Sequence, residues 1–390
     1  MDSKHDLKNS NIAENIYLSS LFLFIFVGVL KTSLVVSAHL SMGAVFAVFK
    51  VTGLVVILNS FFGPHSTWRW KIILVMATVG GYLLSIPSQN FDFFYYLIFV
   101  LGAHEIRFTR ILKIYIFSAL IGILSVLFLC FIGVIPNELF GRQGLSLVRN
   151  SFGFFTPTDF AARIFFVLLA YYVLNEFVMS WKENVVVVVT ILLVYHFTNA
   201  RLDTFLLLLL FACGFVGQKL KKVVQRLQST GVFLISLIYI LANVLISVFY
   251  TPQIWFFDQL NKALSGRIQI GQQALHEKGI TLFGQHFHEQ GNGMLPGGNF
   301  RYFYIDSSYL RLLIISGVLI SLIMLVVSYY TLHNFMVQRK EMYAIGFMLV
   351  IISSAIDQHF LDPSYNVMFL GLLAQLKIST NYKKLQKNKA

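Results

Sequence analysis

Apolar runs separated by short polar turns recur along this chain from Ile16 to Leu376. Most approach the roughly 17–25 residues that a helix needs to cross a hydrocarbon core about 30 Å thick. The pattern predicts spans at 16–36, 40–60, 71–87, 90–103, 112–134, 159–178, 184–198, 202–217, 231–250, 308–331, 343–357 and 364–376. Several are shorter than a full crossing, as a buried bundle position or a tilted neighbour allows. The expected fold class is all-α: one polytopic integral-membrane domain over residues 1–390, with about twelve transmembrane helices.

Two longer polar intervals interrupt the rhythm, Ile135 to Thr158 and Thr251 to Asp306. In the second, Ile254, Phe257, Leu260, Leu264, Ile268 and Leu275 recur mostly every three or four residues, with Trp255 and Phe256 alongside. That spacing predicts an amphipathic helix lying in the membrane interface. Gly284 to Asn299 is glycine-rich and reads as irregular. A loop this long in a compact protein is more often functional than a plain connector.

Composition agrees with a membrane chain: 57% hydrophobic, 12% charged, mean hydropathy +0.73. Met1 to Asn15 runs into the first apolar segment without a small-residue cleavage site, so that segment is expected to remain as an anchor. Cys130 and Cys213 lie inside apolar runs and read as small buried hydrophobes, not as a disulfide or a metal site. A net charge of +13 would suit nucleic acid only if it were clustered, and it is spread among turns and tails. Topology accounts for it. With the N-terminus inside, 19 of the 30 Lys and Arg fall on the inner side, led by Lys219, Lys221, Lys222 and Arg226 and by the tail after Lys377. Cytoplasmic loops concentrate such residues, so the expected location is a bacterial cytoplasmic membrane, with both termini cytoplasmic. Lys50, in mid-span, is expected to face a cavity or a partner helix.

Against that bias, Arg142, Arg149, Arg201 and Arg267 fall on the outer side. An arginine kept there suggests an anionic ligand, and phosphate matches the guanidinium fork best. The alternative is structural: Arg149 and Arg201 snorkel to headgroups or pair with Asp159 and Asp203, and Arg267 binds anionic lipid from the interfacial helix. The chain contains no phosphate-cradling Gly-x-x-x-x-Gly-Lys-Ser/Thr, no Gly-x-Gly-x-x-Gly after a strand and no Asp-x-Asp pair. These absences disfavour a nucleotide-driven pump or a nucleotide-sugar transferase. An outward-facing enzyme needs a donor that arrives activated, such as a sugar on a lipid diphosphate.

Four elements carry a resemblance. Arg149-Asn150-Ser151-Phe152-Gly153-Phe154 precedes Pro157. Thr198-Asn199-Ala200-Arg201 forms a polar turn, with Asp203 just beyond. Ser265-Gly266-Arg267-Ile268 precedes Leu282-Phe283-Gly284. Asp306-Ser307-Ser308-Tyr309-Leu310 opens a span that runs to Gly317. In this order and on this hydropathy frame, the chain resembles the Wzy-type polysaccharide polymerases of the O-antigen polymerase and ligase superfamily, most of all those of Gram-positive capsules and exopolysaccharides. Ala200 stands where a serine is common in that family, and Thr158 where an asparagine is. The resemblance implies a GT-C-like membrane fold and an inverting, metal-independent glycosyl transfer without cofactor. The growing glycan on undecaprenyl diphosphate would pass to the next lipid-linked repeat unit. The arginines would hold diphosphate, and a flippase and a chain-length regulator would be partners.

The acceptor hydroxyl needs a general base, and the candidates are Asp306, His286 and His288. Asp306 has a second reading as a helix cap before Tyr309. His286-Phe287-His288 with Glu289 has no third placed ligand for a metal. Asp357, His359 and Asp362 read as a solvated outer turn, and Tyr302, Phe303 and Tyr304 as rings able to stack on sugars. Two other functions remain open. One is a glycan ligase of the same superfamily. The other is a lipid-linked oligosaccharide flippase, which should show two similar halves and charges lining a path through both leaflets.

Overall fold

The computed structural model describes residues 2–64, 66–142, 145–291 and 303–376, and the side chains of these except 2–10, 142 and 145–147. Helix makes up 73% of the structure, and the only sheet among the described residues is one two-stranded hairpin. Seven helices are long and apolar enough to cross a membrane: α1 (Asp2–Lys31, apolar from Asn11), α3 (Met42–Phe62), α6 (Phe108–Phe131), α7 (Pro157–Leu174), α8 (Trp181–Thr198), α9 (Arg201–Val248) and the run Ser308–Val337. Between them lie the single turn α2 (Val35–Ala38), α4 (Trp68–Ser85) and the short α5 (Asp92–Gly102). Outward-facing Leu54, Met76, Phe128, Leu192, Phe205 and Ile238 form an apolar exterior far larger than a soluble protein tolerates.

Local chemistry explains where the helices start. Ser41 and Thr67 accept hydrogen bonds from the third residue beyond and cap α3 and α4. Thr156 caps α7, with Pro157 in the first turn. Ser180 and Glu183 make a reciprocal capping box on α8. The expected spans 202–217 and 231–250 form one 48-residue element broken at Gln228 (φ 55°). Its two arms fold back on each other, because Arg201 and Asn243 both reach the same end of the bundle: Arg201 lines a cavity there, and Asn243 accepts a hydrogen bond from Ser307 (2.9 Å).

The two long loops are more ordered than the sequence pattern suggests. In the first, β1 (Leu139–Arg142) and β2 (Leu145–Asn150) pair antiparallel, with Phe140 opposite Arg149. In the second, the single expected amphipathic helix is two. They are α10 (Trp255–Ala263) and α11 (Arg267–Lys278), separated at Ser265 (φ 57°) and Gly266 (φ 86°). Ile254, Trp255 and Phe256 are exposed, as an interfacial helix requires.

The helix that follows this loop is interrupted. A short α12 (Ser308–Arg311) passes into a π-turn, Leu312–Ser316, before α13 (Gly317–Val337) resumes. The second loop mends the break. Val318 N donates to Thr281 O (3.0 Å), Leu319 N to Leu282 O (3.0 Å) and Gln285 N to Ile315 O (2.9 Å). Gly317 (φ 88°) and Gly284 (φ 84°) sit back to back, and a Cβ on either would overlap backbone of the other segment.

After α14 (Glu341–Ser353) the sequence pattern predicts a final helix over 364–376, and the structure corrects this. That stretch holds only turns and the short 3-10 turn Met368–Leu372, preceded by a second at His359–Leu361, nearly all buried among helices. It runs from the cavity to the opposite end, where Gln375 N donates to Ile106 O (2.8 Å). Enclosure by protein is what permits irregular backbone at this depth. Arg163, 1% exposed on α7, holds its start. Its Nη1 donates to Ser364 O (2.5 Å), its Nη2 to Gly28 O (2.8 Å), and the guanidinium stacks on the Tyr365 ring (3.3 Å).

Ion pairs Arg110–Glu14 (2.7 Å), Lys221–Glu341 (3.8 Å) and Lys340–Glu176 (2.5 Å) gather at the end away from the cavity. Replacing Gly317 by Ala should destabilise the protein by about 2 kcal/mol or more, since φ is disallowed and the neighbour is backbone. The check is the thermal midpoint of the purified protein in detergent, with Gly80→Ala as the control because a Cβ at Gly80 meets nothing within 4 Å.

Candidate functional site

A cavity of about 700 Å³ opens at the end of the bundle where α1, α7, α9 and both long loops meet. Arg149 arrives on β2, where its Nε donates to Thr198 O (2.8 Å) while the neighbouring Asn150 donates to Phe197 O (3.2 Å). These bonds dock the hairpin on the C-terminus of α8. Asn199 then takes the left-handed conformation (φ 45°), and the chain turns into α9 with Arg201 at its first position. Arg201 is exposed along the cavity, and its side chain has no hydrogen bond or ion pair to a described residue.

Arg267 opens α11 and is the most heavily engaged of the three. Its Nε donates to Ile356 O (2.9 Å) and lies 3.2 Å from Asp306 Oδ2. Burial, with the nearby Glu289 charge adding to it, holds the Asp306 carboxyl above its ordinary pKa although Arg267 and Arg311 pull the other way. Asp306 is not a helix cap, since Ser307 occupies that position. Nor do the structural pairings form: neither Arg149–Asp159 nor Arg201–Asp203 is an ion pair, and Asp159 instead accepts from Thr156 (2.8 Å). The sequence candidates Arg149, Arg201, Arg267 and Asp306 thus share one cavity. Arg142 ends β1, and its side chain lies outside the described residues.

His286 and His288 do not join them. Around Phe287 the chain is extended and its side chains alternate between faces. Phe287 and Glu289 turn to the cavity, and the two histidines are exposed on the other side. The turn read as solvated is the reverse of that expectation: Asp357, His359 and Asp362 all line the cavity. His359 is 5% exposed, packs flat on Tyr365 and lies 3.0 Å from Asp357 Oδ1. Burial and the charges of Arg163, Arg311 and Lys31 keep its pKa well below the usual value. Burial and the Asp203 charge push the Asp357 carboxyl well up.

Sequence reading also missed Arg311. It pairs with Glu289 (2.5 Å) and packs over the Tyr304 ring (5.2 Å), while Tyr304 donates to Gln358. Lys31 and Asp92 (3.9 Å) close the far side. The signal for Arg311 was its place five residues after Asp306 on an apolar helix, where a charge demands a partner. Phe303 packs on Phe287 (5.3 Å) outside the lining, and Tyr302 lies outside the described residues. Among the described residues no three His, Cys, Asp or Glu side chains come together as metal ligands.

Chemically, this is a partly enclosed space where guanidinium groups can stabilise developing negative charge and carboxylates can accept a proton. No protein family, curated protein or solved structure matches this chain.

The raised pKa of Asp357 makes a stability prediction. An Asp that holds its proton more tightly when folded contributes stability below its ordinary value of 3.8, and that contribution is lost as pH rises through the folded value. Asp357→Asn mimics the protonated form. Its thermal midpoint should gain on the wild type as pH is raised from 4 to 8, and a constant difference across that range would contradict a buried, raised Asp357.

Proposed function

We propose that this protein is a polysaccharide polymerase, moving a growing glycan from undecaprenyl diphosphate to the next lipid-linked repeat unit on the outer face of the cytoplasmic membrane. One observation carries the reading: Arg149, Arg201 and Arg267, far apart in sequence, line one cavity with Asp306. The cavity lies at the end away from the basic cluster of Arg110, Lys221 and Lys340, as positive-inside topology asks of an outward-facing site. In this reading the chain makes about twelve passes in a GT-C-like arrangement, the last by the buried 3-10 stretch, with both termini cytoplasmic.

The reaction follows from the groups present. An acceptor hydroxyl oxygen attacks the anomeric carbon of the donor from the side opposite the diphosphate. A new C–O bond forms with inversion, and the bond to the diphosphate breaks with its electron pair staying on the phosphate oxygen. The hydroxyl proton passes to a carboxylate, for which Asp306, half-buried and more basic than an ordinary aspartate, is the candidate. The guanidinium groups meet charge that grows on the leaving group, and so they favour the transition state over the ground state. His286 and His288 face away and take no part. The diphosphate bond supplies the driving force, and no nucleotide, cofactor or metal is required. A flippase would deliver the repeat units and a chain-length regulator would set the product. A ligase of the same superfamily shares the donor chemistry and differs only in acceptor.

Inactivating the protein should leave single lipid-linked repeats accumulating without long polymer. The purified protein should elongate such repeats in the presence of a chelator. Transport of intact lipid-linked units across liposomes without new glycosidic bonds would replace this reading with a flippase.

At normal protein abundance, Arg201→Lys and Arg267→Lys should each cut turnover by about tenfold or more, since Lys keeps the charge and loses the fork. Asp306→Asn should lower kcat more than it raises KM. Lys variants with wild-type turnover would reassign the arginines to lipid headgroups.

A further inference from the structure

Lys50 is a charge in the middle of a span, and nothing in its own chain receives it. The helix that carries it, α3, buries Val45, Phe49, Thr52, Gly53 and Val56 against α1 and α5. Phe46, Ala47, Lys50, Val51 and Leu54 form the opposite, exposed face. A charge within a membrane helix ordinarily faces a cavity or the bundle interior, where it finds a partner. Lys50 does not line the cavity, and among the described residues its side chain has no hydrogen bond, ion pair or contact with an aromatic ring. The nearby Lys31 on α1 shows the ordinary arrangement: it has Asp92 at 3.9 Å and the rings of Phe46 and Phe49 at 6.0 and 5.8 Å.

Depth makes the exposure of Lys50 costly. Helix rise puts it about 12 Å from Met42, at the cavity end, and about 18 Å from Phe62. A side chain that leans toward the helix N-terminus recovers about one turn of the shorter distance. The ammonium still ends inside the apolar layer. There a carboxylate at contact distance attracts it far more strongly than in water.

We infer that this face of α3 docks a transmembrane helix of another protein, one that carries an Asp or Glu opposite Lys50. The charge selects the partner, because an apolar helix without an acid gains nothing by covering an ammonium. Gly43, Ala44 and Ala47 stand one to two turns toward the cavity end, all exposed, and let a second backbone approach closely. A second copy of this chain has no acid to offer at that depth. Among the described spans, carboxylates stand in first turns, as Asp159, Glu183, Asp203 and Glu341 do, or are buried and paired, as Glu14 is. The inference concerns the outside of α3 and stands whether or not the polymerase reading does.

The test places a benzophenone amino acid at Leu54, one turn beyond Lys50 on the same face, and irradiates membranes of the native host. The expected adduct joins this chain to an apolar helix of another protein with an Asp or Glu in mid-span, read by mass spectrometry of the cross-linked peptide. Lys50→Met and Lys50→Asp should each cut the adduct yield about tenfold, and Lys50→Arg should keep it within about twofold. The thermal midpoint of the purified Lys50→Met protein should equal that of the wild type, since the side chain touches nothing else in the chain. Lys50→Met alone carries the test if Lys50→Asp fails to insert. Lys50→Asp combined with Lys at the partner's acid should restore the adduct. Adducts to lipid alone, to a second copy or to a helix without an acid would overturn the inference, and so would a yield indifferent to Lys50→Met.

Discussion

A guanidinium buried in an apolar bundle must find hydrogen-bond partners or it unfolds its surroundings, and Arg163 meets that demand with backbone. It binds carbonyls from α1 and from the chain after α14, and it lies flat on Tyr365. Removing a partner from a buried charge is among the costliest changes a protein can suffer. Tyr115 donates to Tyr365 O (2.5 Å) and Tyr96 to Asn366 O, so polar side chains from α6 and α5 converge on the same irregular stretch. One arginine thereby fixes where the non-helical segment enters the bundle. That entry point places His359 and Asp362 at the cavity.

The cavity repeats the arrangement with less satisfaction. Arg267 joins α11 to Asp306 and to the carbonyl of Ile356, three segments distant in sequence. Arg311 and Glu289 clasp the end of the second loop to the start of the broken helix. Arg163 bonds protein through both terminal nitrogens, whereas the Arg201 side chain in the cavity has no hydrogen bond or ion pair to a described residue.

The sequence made legible the helical class, the long loops and three of the four arginines it singled out, which line one cavity, because hydropathy and charge bias are local signals. Asp306 was legible for the same reason, standing at the opening of an apolar run. The misread residues depended on long-range packing. His286 and His288 looked like chemistry because they are histidines in a polar loop, yet strand-like alternation around Phe287 turns them away. Asp357, His359 and Asp362 looked solvated because they flank apolar runs, yet the second of those runs is no helix. An apolar segment enclosed by protein and one facing lipid have the same composition. No local rule told 364–376 from a helix, and the error carried its neighbours with it. The turn expected between spans 202–217 and 231–250 shrinks to the break at Gln228, because the basic residues before it continue the helix.

The join between Thr281–Gln285 and the helix break at Ile315–Leu319 has a bearing on how the chain is made. A ribosome releases the loop well before the helix it mends, so for some tens of residues of synthesis the loop has no partner. When the Ser308–Val337 segment enters the bilayer, its π-turn and Gly317 leave backbone groups that only the loop can satisfy. The loop must by then have remained nearby. The longest polar segment therefore waits for its partner, and the arrival of the broken helix is the event that closes the cavity. A chain stalled between these two steps would hold its earlier helices in place and possess no cavity.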